Sequence, residues 1–124
     1  MNGAPDLPRA FEIEGGELHG APAVAVHGEV DIDAVPRFVE SLDAAIRESA
    51  GAFVSDLSGV EFLDSSGPNV LLRARALLGR EERALAVVCP HGPVRRVFEL
   101  TGVSDLFFLY GSREEAAAAL VPPV

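Results

Sequence analysis

The sequence predicts an α/β fold, a single domain in which helices pack on a mixed, mostly parallel β-sheet. Segments with the apolar spacing of an amphipathic helix alternate with short apolar, β-branched runs of the kind that form buried strands. The predicted order is β-β-α-β-α-β-α-β-α. Strands that alternate with helices are joined by right-handed crossovers and pair mainly in parallel. The chain has 124 residues, enough to bury the core of one domain.

The first part of the chain predicts an edge strand, an inner strand and a helix. The segment AFEIEGGELHG (10–20) alternates apolar and polar residues, which suits an edge strand, and AVAVHGEV (23–30) is apolar and β-branched, as a buried strand is. Helical spacing extends over residues 34–50. Asp33 is the predicted N-cap of this helix, and Pro36 falls in its first turn, where a missing N–H costs nothing.

The rest of the chain predicts three strands and three helices. The strands are residues 52–57, 84–89 and 106–110, and the helices are residues 66–81, 92–101 and 112–120. A turn is expected over GVEFLD, after the first of these strands. Gly102 is the expected left-handed end of the short second helix. Ser112 and Glu115 form a capping box at the start of the third. Cys89, Phe107 and Phe108 are expected in the core and the sheet.

The domain is predicted to span residues 9–121. Residues 1–8 form a loose leader with two prolines, and residues 122–124 form a short tail. No apolar run is long enough to cross a bilayer, and the N-terminus lacks the basic and apolar regions of a secretory signal. The cytoplasm is therefore the expected location.

Composition excludes several classes of function. The net charge of −9 disfavours binding to nucleic acid phosphates. All ten basic residues are Arg, so the lysine required by a P-loop or by Schiff-base chemistry is missing. The absence of lysine also excludes a receiver domain, which reads an aspartyl phosphate through a lysine. The lone Cys89 cannot form an internal disulfide, and the three histidines lack metal-ligand spacing. No metal or cofactor is expected.

The stretch LDSSGP (63–68) places two hydroxyls and a carboxylate at a predicted helix start. A serine here can simply cap the helix, and Ser65, Ser66 and Gly67 are all possible N-caps. A nucleophile elbow needs Gly-x-Ser-x-Gly, whose first glycine is missing. A third possibility is that a serine is modified, because a helix N-terminus tolerates an added phosphate. An exposed phosphate in a docking surface would block a partner without changing the fold.

Three longer stretches together resemble a known family, the STAS domains of the anti-sigma factor antagonist type. They are VHGEVDIDAVPRFVESL, FVSDLSGVEFLDSSG and LAVVCPHGPVRRVFELTGVSDLFFLY. The first is similar to the family's Gly-Glu-hydrophobic-Asp motif, and the second to its Asp-Ser-Ser/Thr-Gly motif. The third is similar to a strand, a short helix after a proline, a Thr-Gly ending and a last strand. The resemblance covers residues 11–120.

The resemblance implies regulation of transcription by partner switching, without enzymatic activity. Members bind an anti-sigma factor, usually an ATP-dependent serine kinase, and so free a sigma factor. The kinase then phosphorylates the serine after the motif's aspartate, which releases the antagonist, and a PP2C-type phosphatase resets the switch. By motif position the phosphoacceptor is Ser65. The implied partner-binding residues are Asp31, Asp64, Ser65, Ser66, Gly67 and Asn69.

One departure from the family motif leaves alternatives open. The residue after the motif glycine is usually hydrophobic, commonly Leu, whereas here it is Pro68, which alters the first turn of the helix expected to face the kinase. A constitutive STAS scaffold in a transporter or signalling complex is therefore a second hypothesis. A small enzyme with Ser65 as nucleophile is a third, although no base stands at a recognisable spacing. The oligomeric state is not predicted.

Overall fold

The computed structural model describes residues 10–120, which form a five-stranded sheet covered by helices. The strands are β1 Glu12–Leu18, β2 Ala21–Val30, β3 Phe53–Leu63, β4 Leu85–Val88 and β5 Phe108–Tyr110; the helices are α1 Val35–Arg47, α2 Gly67–Gly79, α3 Pro93–Leu100 and α4 Arg113–Leu120. The strands lie in the order β1-β2-β3-β4-β5. β1 is antiparallel to β2, and the other neighbours are parallel. The predicted fold class and element order are confirmed. The predicted leader and tail lie outside the described residues.

Two apolar clusters hold the sheet between its helices. The larger joins it to α1, α2 and α3, whose side chains Phe38, Leu71 and Phe98 are fully buried against it. The smaller joins the opposite face to α4 through Ala116 and Ala117. Cys89 is fully buried in the larger cluster, as predicted, and desolvation raises the pKa of its thiol to about 11. This thiol is therefore a packing group.

β3 is longer than the sequence predicts, and the turn expected over GVEFLD is wrong. The strand continues to Leu63, and two register shifts against β2 each add one extra residue to it. At the first shift the Asp56 carboxylate accepts hydrogen bonds from the Ser58 N–H (2.9 Å) and hydroxyl (2.6 Å). Such a local polar bond is typical of a turn, but here it forms a bulge that keeps the pairing. β3 consequently ends beside the end of β2.

Several predicted element ends shift by a few residues. α1 occupies Val35–Arg47 within the predicted 34–50, and its N-cap position is Ala34, so the prediction of Asp33 as the cap is wrong. The carboxylate of Asp31 instead accepts the Ala34 N–H at 3.0 Å. Asp31 lies three residues before Ala34, where a carboxylate can reach the Ala34 N–H. Asp33 lies directly before Ala34 and does not cap the helix.

The last strand is shorter than predicted. Leu106 lies in a single 3₁₀ turn, and β5 contains only Phe108–Tyr110. Phe107 packs against the larger cluster, as expected, but Phe108 is 65% exposed and is not a core residue. Phe107 directly precedes β5 and has an extended backbone, so its side chain and that of Phe108 point to opposite sides, and the two rings cannot both enter the core.

The two predicted helix signals near the C-terminal end are confirmed. Gly102 adopts φ = 77° after α3, the left-handed conformation that glycine allows. The Ser112 hydroxyl accepts the Glu115 N–H at 3.1 Å. The Glu115 carboxylate in turn accepts the N–H of Gly111 (2.7 Å), one residue before the position that a standard capping box uses.

Candidate functional site

β2 and β3 end side by side, which brings Asp31 and Asp64 together at one edge of the sheet. Val30 and Leu63 are the last paired residues of the two strands, and each aspartate directly follows one of them. The Asp64 N–H donates to the Val30 carbonyl at 2.8 Å, so the two strand ends are joined by a hydrogen bond. Parallel strands have their carboxyl ends at the same edge, where α/β proteins commonly bind ligands and partners.

A tight turn connects β3 to α2 and carries the two serines. The Gly67 N–H donates to the Asp64 carbonyl at 2.7 Å, so Ser65 and Ser66 are the central residues of a four-residue turn. The Asp64 carboxylate accepts the Ser66 N–H at 2.9 Å and also the Ser66 hydroxyl. Ser65 is exposed at the apex of the turn. Its side chain makes no hydrogen bond within residues 10–120.

The three possible helix caps are now resolved. Ser66 occupies the N-cap position of α2, but its side chain makes no capping hydrogen bond to the helix. Its hydroxyl is engaged by Asp64 instead. The two adjacent serines therefore differ chemically: the Ser66 hydroxyl proton is held by a carboxylate, whereas the Ser65 hydroxyl faces solvent.

Hydrogen bonds from Ser66 lower the pKa of Asp64 below its usual range. The hydroxyl has the larger effect, the backbone N–H adds to it, and both outweigh the small opposing effect of desolvation. Donors that point at a carboxylate stabilise its ionised form. Asp64 is consequently an anion at neutral pH.

This pKa predicts how Ser66 affects acid stability. A carboxyl group whose pKa is lower in the folded state adds stability above its unfolded pKa, and this stability is lost as the pH falls through the folded pKa. We expect Ser66→Ala to raise the pKa of Asp64, measured by carboxyl ¹³C NMR, towards the ordinary value of 3.8. The stability difference from the wild type should shrink as the pH falls below 3.8 and through the folded pKa of Asp64. An unchanged Asp64 titration would contradict the assigned hydrogen bonds.

Gly67 and Pro68 fix how α2 leaves the turn. A Cβ atom on Gly67 would lie 2.3 Å from Cδ1 of Leu63, so only glycine allows this close approach. Pro68 is buried and falls within the first two residues of α2, where the absent N–H breaks no helical bond. The helix start thus accommodates the residue that departs from the family motif.

Two exposed apolar side chains flank the turn, and the sequence reasoning did not single them out. Ile32 is 61% exposed and Phe62 is 47% exposed. Ile32 follows Asp31, and Phe62 precedes Leu63 at the end of β3. One signal in the sequence could have indicated the exposure of Ile32, because this large apolar residue stands between two aspartates, Asp31 and Asp33. Together with Ser65 and the exposed Asn69, these residues form what we call the switch surface: Asp31, Ile32, Phe62, Asp64, Ser65 and Asn69.

The remaining candidate chemistry does not meet at this surface. Within residues 10–120, no histidine forms a hydrogen bond with Ser65; His27 pairs with Glu14 and His91 with Arg95. The described part of the chain also contains no group of three or more residues able to hold a metal ion. None of its helices is long and apolar enough to cross a membrane.

Comparison with known proteins gives a consistent result. The STAS domain family profile matches residues 13–116. The anti-sigma-F factor antagonist RsfB of Mycobacterium tuberculosis is 26% identical over 109 residues, 88% of each chain. The anti-sigma-B factor antagonist of Staphylococcus aureus is 28% identical over 83 residues, 67% of this chain and 77% of its own.

Solved structures show the same similarity. An anti-sigma factor antagonist from Mycobacterium paratuberculosis superposes with a TM-score of 0.81 at 33% identity, covering 94% of this chain and 97% of its own. The unphosphorylated form of the anti-sigma factor antagonist SpoIIAA has a TM-score of 0.69 at 24% identity, covering 91% and 100%, which shows the shared fold. The chain therefore belongs to the STAS domain family.

Proposed function

We propose that this protein is an anti-sigma factor antagonist that binds its anti-sigma factor through the switch surface and is released by phosphorylation of Ser65. The supporting observation is the difference between the two serines: Ser65 is exposed at the apex of a hydrogen-bonded turn, while the Ser66 hydroxyl is bound to Asp64. The names of the similar proteins support the same class of partner.

The switch surface has the composition of a docking site. Ile32 and Phe62 supply apolar area that a partner can bury, and Asp31 and Asp64 supply negative charge. A complementary partner surface would be apolar and cationic. A phosphate on Ser65 would lie inside that contact and would have to be desolvated. The fold itself could retain the phosphate, since Ser65 is exposed and adjoins a helix N-terminus.

In this function the chain itself has no catalytic role. The kinase would be the anti-sigma factor, and a PP2C-type phosphatase would remove the phosphate. A nucleophilic Ser65 would need a base, and no histidine forms a hydrogen bond with it in the described residues. The scaffold hypothesis depended on Pro68, and that residue is buried within an intact helix start.

Phosphate mapping tests the modified residue. With ATP and a kinase-type anti-sigma factor, we expect mass spectrometry to find phosphate on Ser65 alone. Ser65→Ala should abolish incorporation, because the neighbouring hydroxyl is held by Asp64. Phosphate on Ser66 in the Ser65→Ala variant would contradict this assignment. The phosphoprotein should be a substrate for a PP2C-type phosphatase.

Serine substitution of the flanking apolar residues tests the docking site. Burying a side chain such as Ile or Phe contributes about 1.5–3 kcal/mol. Ile32→Ser and Phe62→Ser should each weaken anti-sigma factor binding about tenfold or more, measured by isothermal titration calorimetry. Leu100→Ser is the matched control, because Leu100 is 77% exposed but lies at the far end of α3. Equal losses for all three variants would show that the partner binds elsewhere.

A further inference from the structure

We propose that Ser66 is a positioning residue for the switch: its hydroxyl holds the Asp64 carboxylate away from Ser65, so that the turn can accept a phosphate there. This inference rests on the proposed function. Ser66 lies beside the phosphoacceptor, and its side chain makes no capping hydrogen bond to the helix that follows.

The hydrogen bonds of the turn support this role. Oδ2 of Asp64 accepts two donors from Ser66, the backbone N–H at 2.9 Å and the hydroxyl. The backbone of Asp64 is fixed on both sides, by Val30 and by Gly67. With its main chain fixed, the Asp64 side chain can change direction only by rotating about its own bonds. The Ser66 hydroxyl is the donor that a substitution can remove.

The electrostatic consequence concerns a phosphate on Ser65. Without the Ser66 hydroxyl, the Asp64 carboxylate keeps one donor and can rotate towards its neighbour. A carboxylate about 6 Å from a phosphate in a water-like medium raises the second phosphate pKa by about half a pH unit. This pKa is ordinarily about 6. With the carboxylate held by Ser66, the dianion forms more readily and repels a partner more strongly.

Other acids at this edge do not produce the same effect. Asp31 and Asp33 lie on the loop after β2, and the Asp31 carboxylate is held by the N–H of Ala34 at 3.0 Å. Glu61 lies on β3. All three remain in every variant considered below. Their charges are therefore the same in the wild type and in each Ser66 variant.

The test uses phosphoserine incorporated at position 65 during synthesis, so no kinase is needed. The second pKa of the phosphate is measured by ³¹P NMR titration. We expect Ser66→Ala to raise it by up to about half a pH unit, since the wild-type carboxylate already contributes part of this effect, and Ser66→Thr, which retains a hydroxyl, to restore the wild-type value. Adding Asp64→Asn to Ser66→Ala should lower it to the wild-type value or below, since the repelling charge is gone. Thermal melts confirm that the variants are folded.

The outcomes separate this inference from the proposed function. An identical phosphate pKa in the wild type and Ser66→Ala would overturn the positioning role. So would a rise that persists in the variant that also carries Asp64→Asn. If the titrations behave as expected but no kinase modifies Ser65, the proposed function fails while the geometry of the turn stands.

Discussion

Phosphorylation of Ser65 is expected to weaken anti-sigma factor binding roughly a thousandfold, equivalent to about 4 kcal/mol. The phosphate adds nearly two negative charges at the apex of the turn. If the partner docks on the proposed switch surface, the phosphate would meet a surface complementary to Asp31 and Asp64, and it would lose water on contact. Calorimetric titration of the phosphoserine protein against its unmodified form measures the difference.

Single substitutions at Ser65 show whether the loss of binding is caused by added charge or by added size. Ser65→Asp and Ser65→Asn add side chains of the same shape, and only the first is charged. We expect Ser65→Asp to lose at least tenfold more affinity than Ser65→Asn, and Ser65→Ala to bind like the wild type. Increasing salt should narrow the difference between the first two variants. Equal affinities for all three would show that this position lies outside the interface and would favour the scaffold hypothesis.

The sequence predicts the fold well where a pattern has one structural meaning. Alternation of apolar strands and amphipathic helices gives the element order, and Gly102 and Ser112 mark a helix end and a helix start. Prediction from the sequence fails where the same local pattern of residues is compatible with two different structures. The polar residues around Ser58 resemble a turn, but their hydrogen bonds to Asp56 form a bulge inside a strand. Only pairing with β2 distinguishes the two.

Some features of the candidate site can likewise be predicted from the sequence and others cannot. Asp31 and Asp64 are predictable, because each follows a parallel strand and such strands end at one edge. The different hydrogen bonding of Ser65 and Ser66 is not, because both serines fit a helix start equally well. The choice depends on which hydroxyl reaches the Asp64 carboxylate once the turn is closed. The exposure of Ile32 and Phe62 likewise depends on which face of each element meets the core.

Gly67→Ala is expected to destabilise the protein, although alanine usually stabilises a helix. Replacing a glycine inside a helix with alanine increases the free energy of unfolding by up to about 1 kcal/mol. Here the new Cβ would lie 2.3 Å from Cδ1 and 2.6 Å from Cγ of Leu63. Because Leu63 is only 3% exposed, its side chain has little room to move. Overpacking of this kind costs about 1–3 kcal/mol. Chemical denaturation should therefore show a net loss of stability.

The same helix provides the control and the rescue for this prediction. Gly79 ends α2, and a Cβ there would meet nothing within 4 Å, so Gly79→Ala should be neutral or stabilising. Leu63→Ala removes the atoms that Gly67→Ala would strike, so the two substitutions should cost less together than the sum of their separate costs, by about 1 kcal/mol or more. Strict additivity would contradict a direct clash. Since Leu63 immediately precedes Asp64, Gly67→Ala should also displace the turn and weaken anti-sigma factor binding, whereas Gly79→Ala should not. If Gly67→Ala loses both stability and binding, the conformation of the Asp64–Gly67 turn depends on the packing of Gly67 against Leu63.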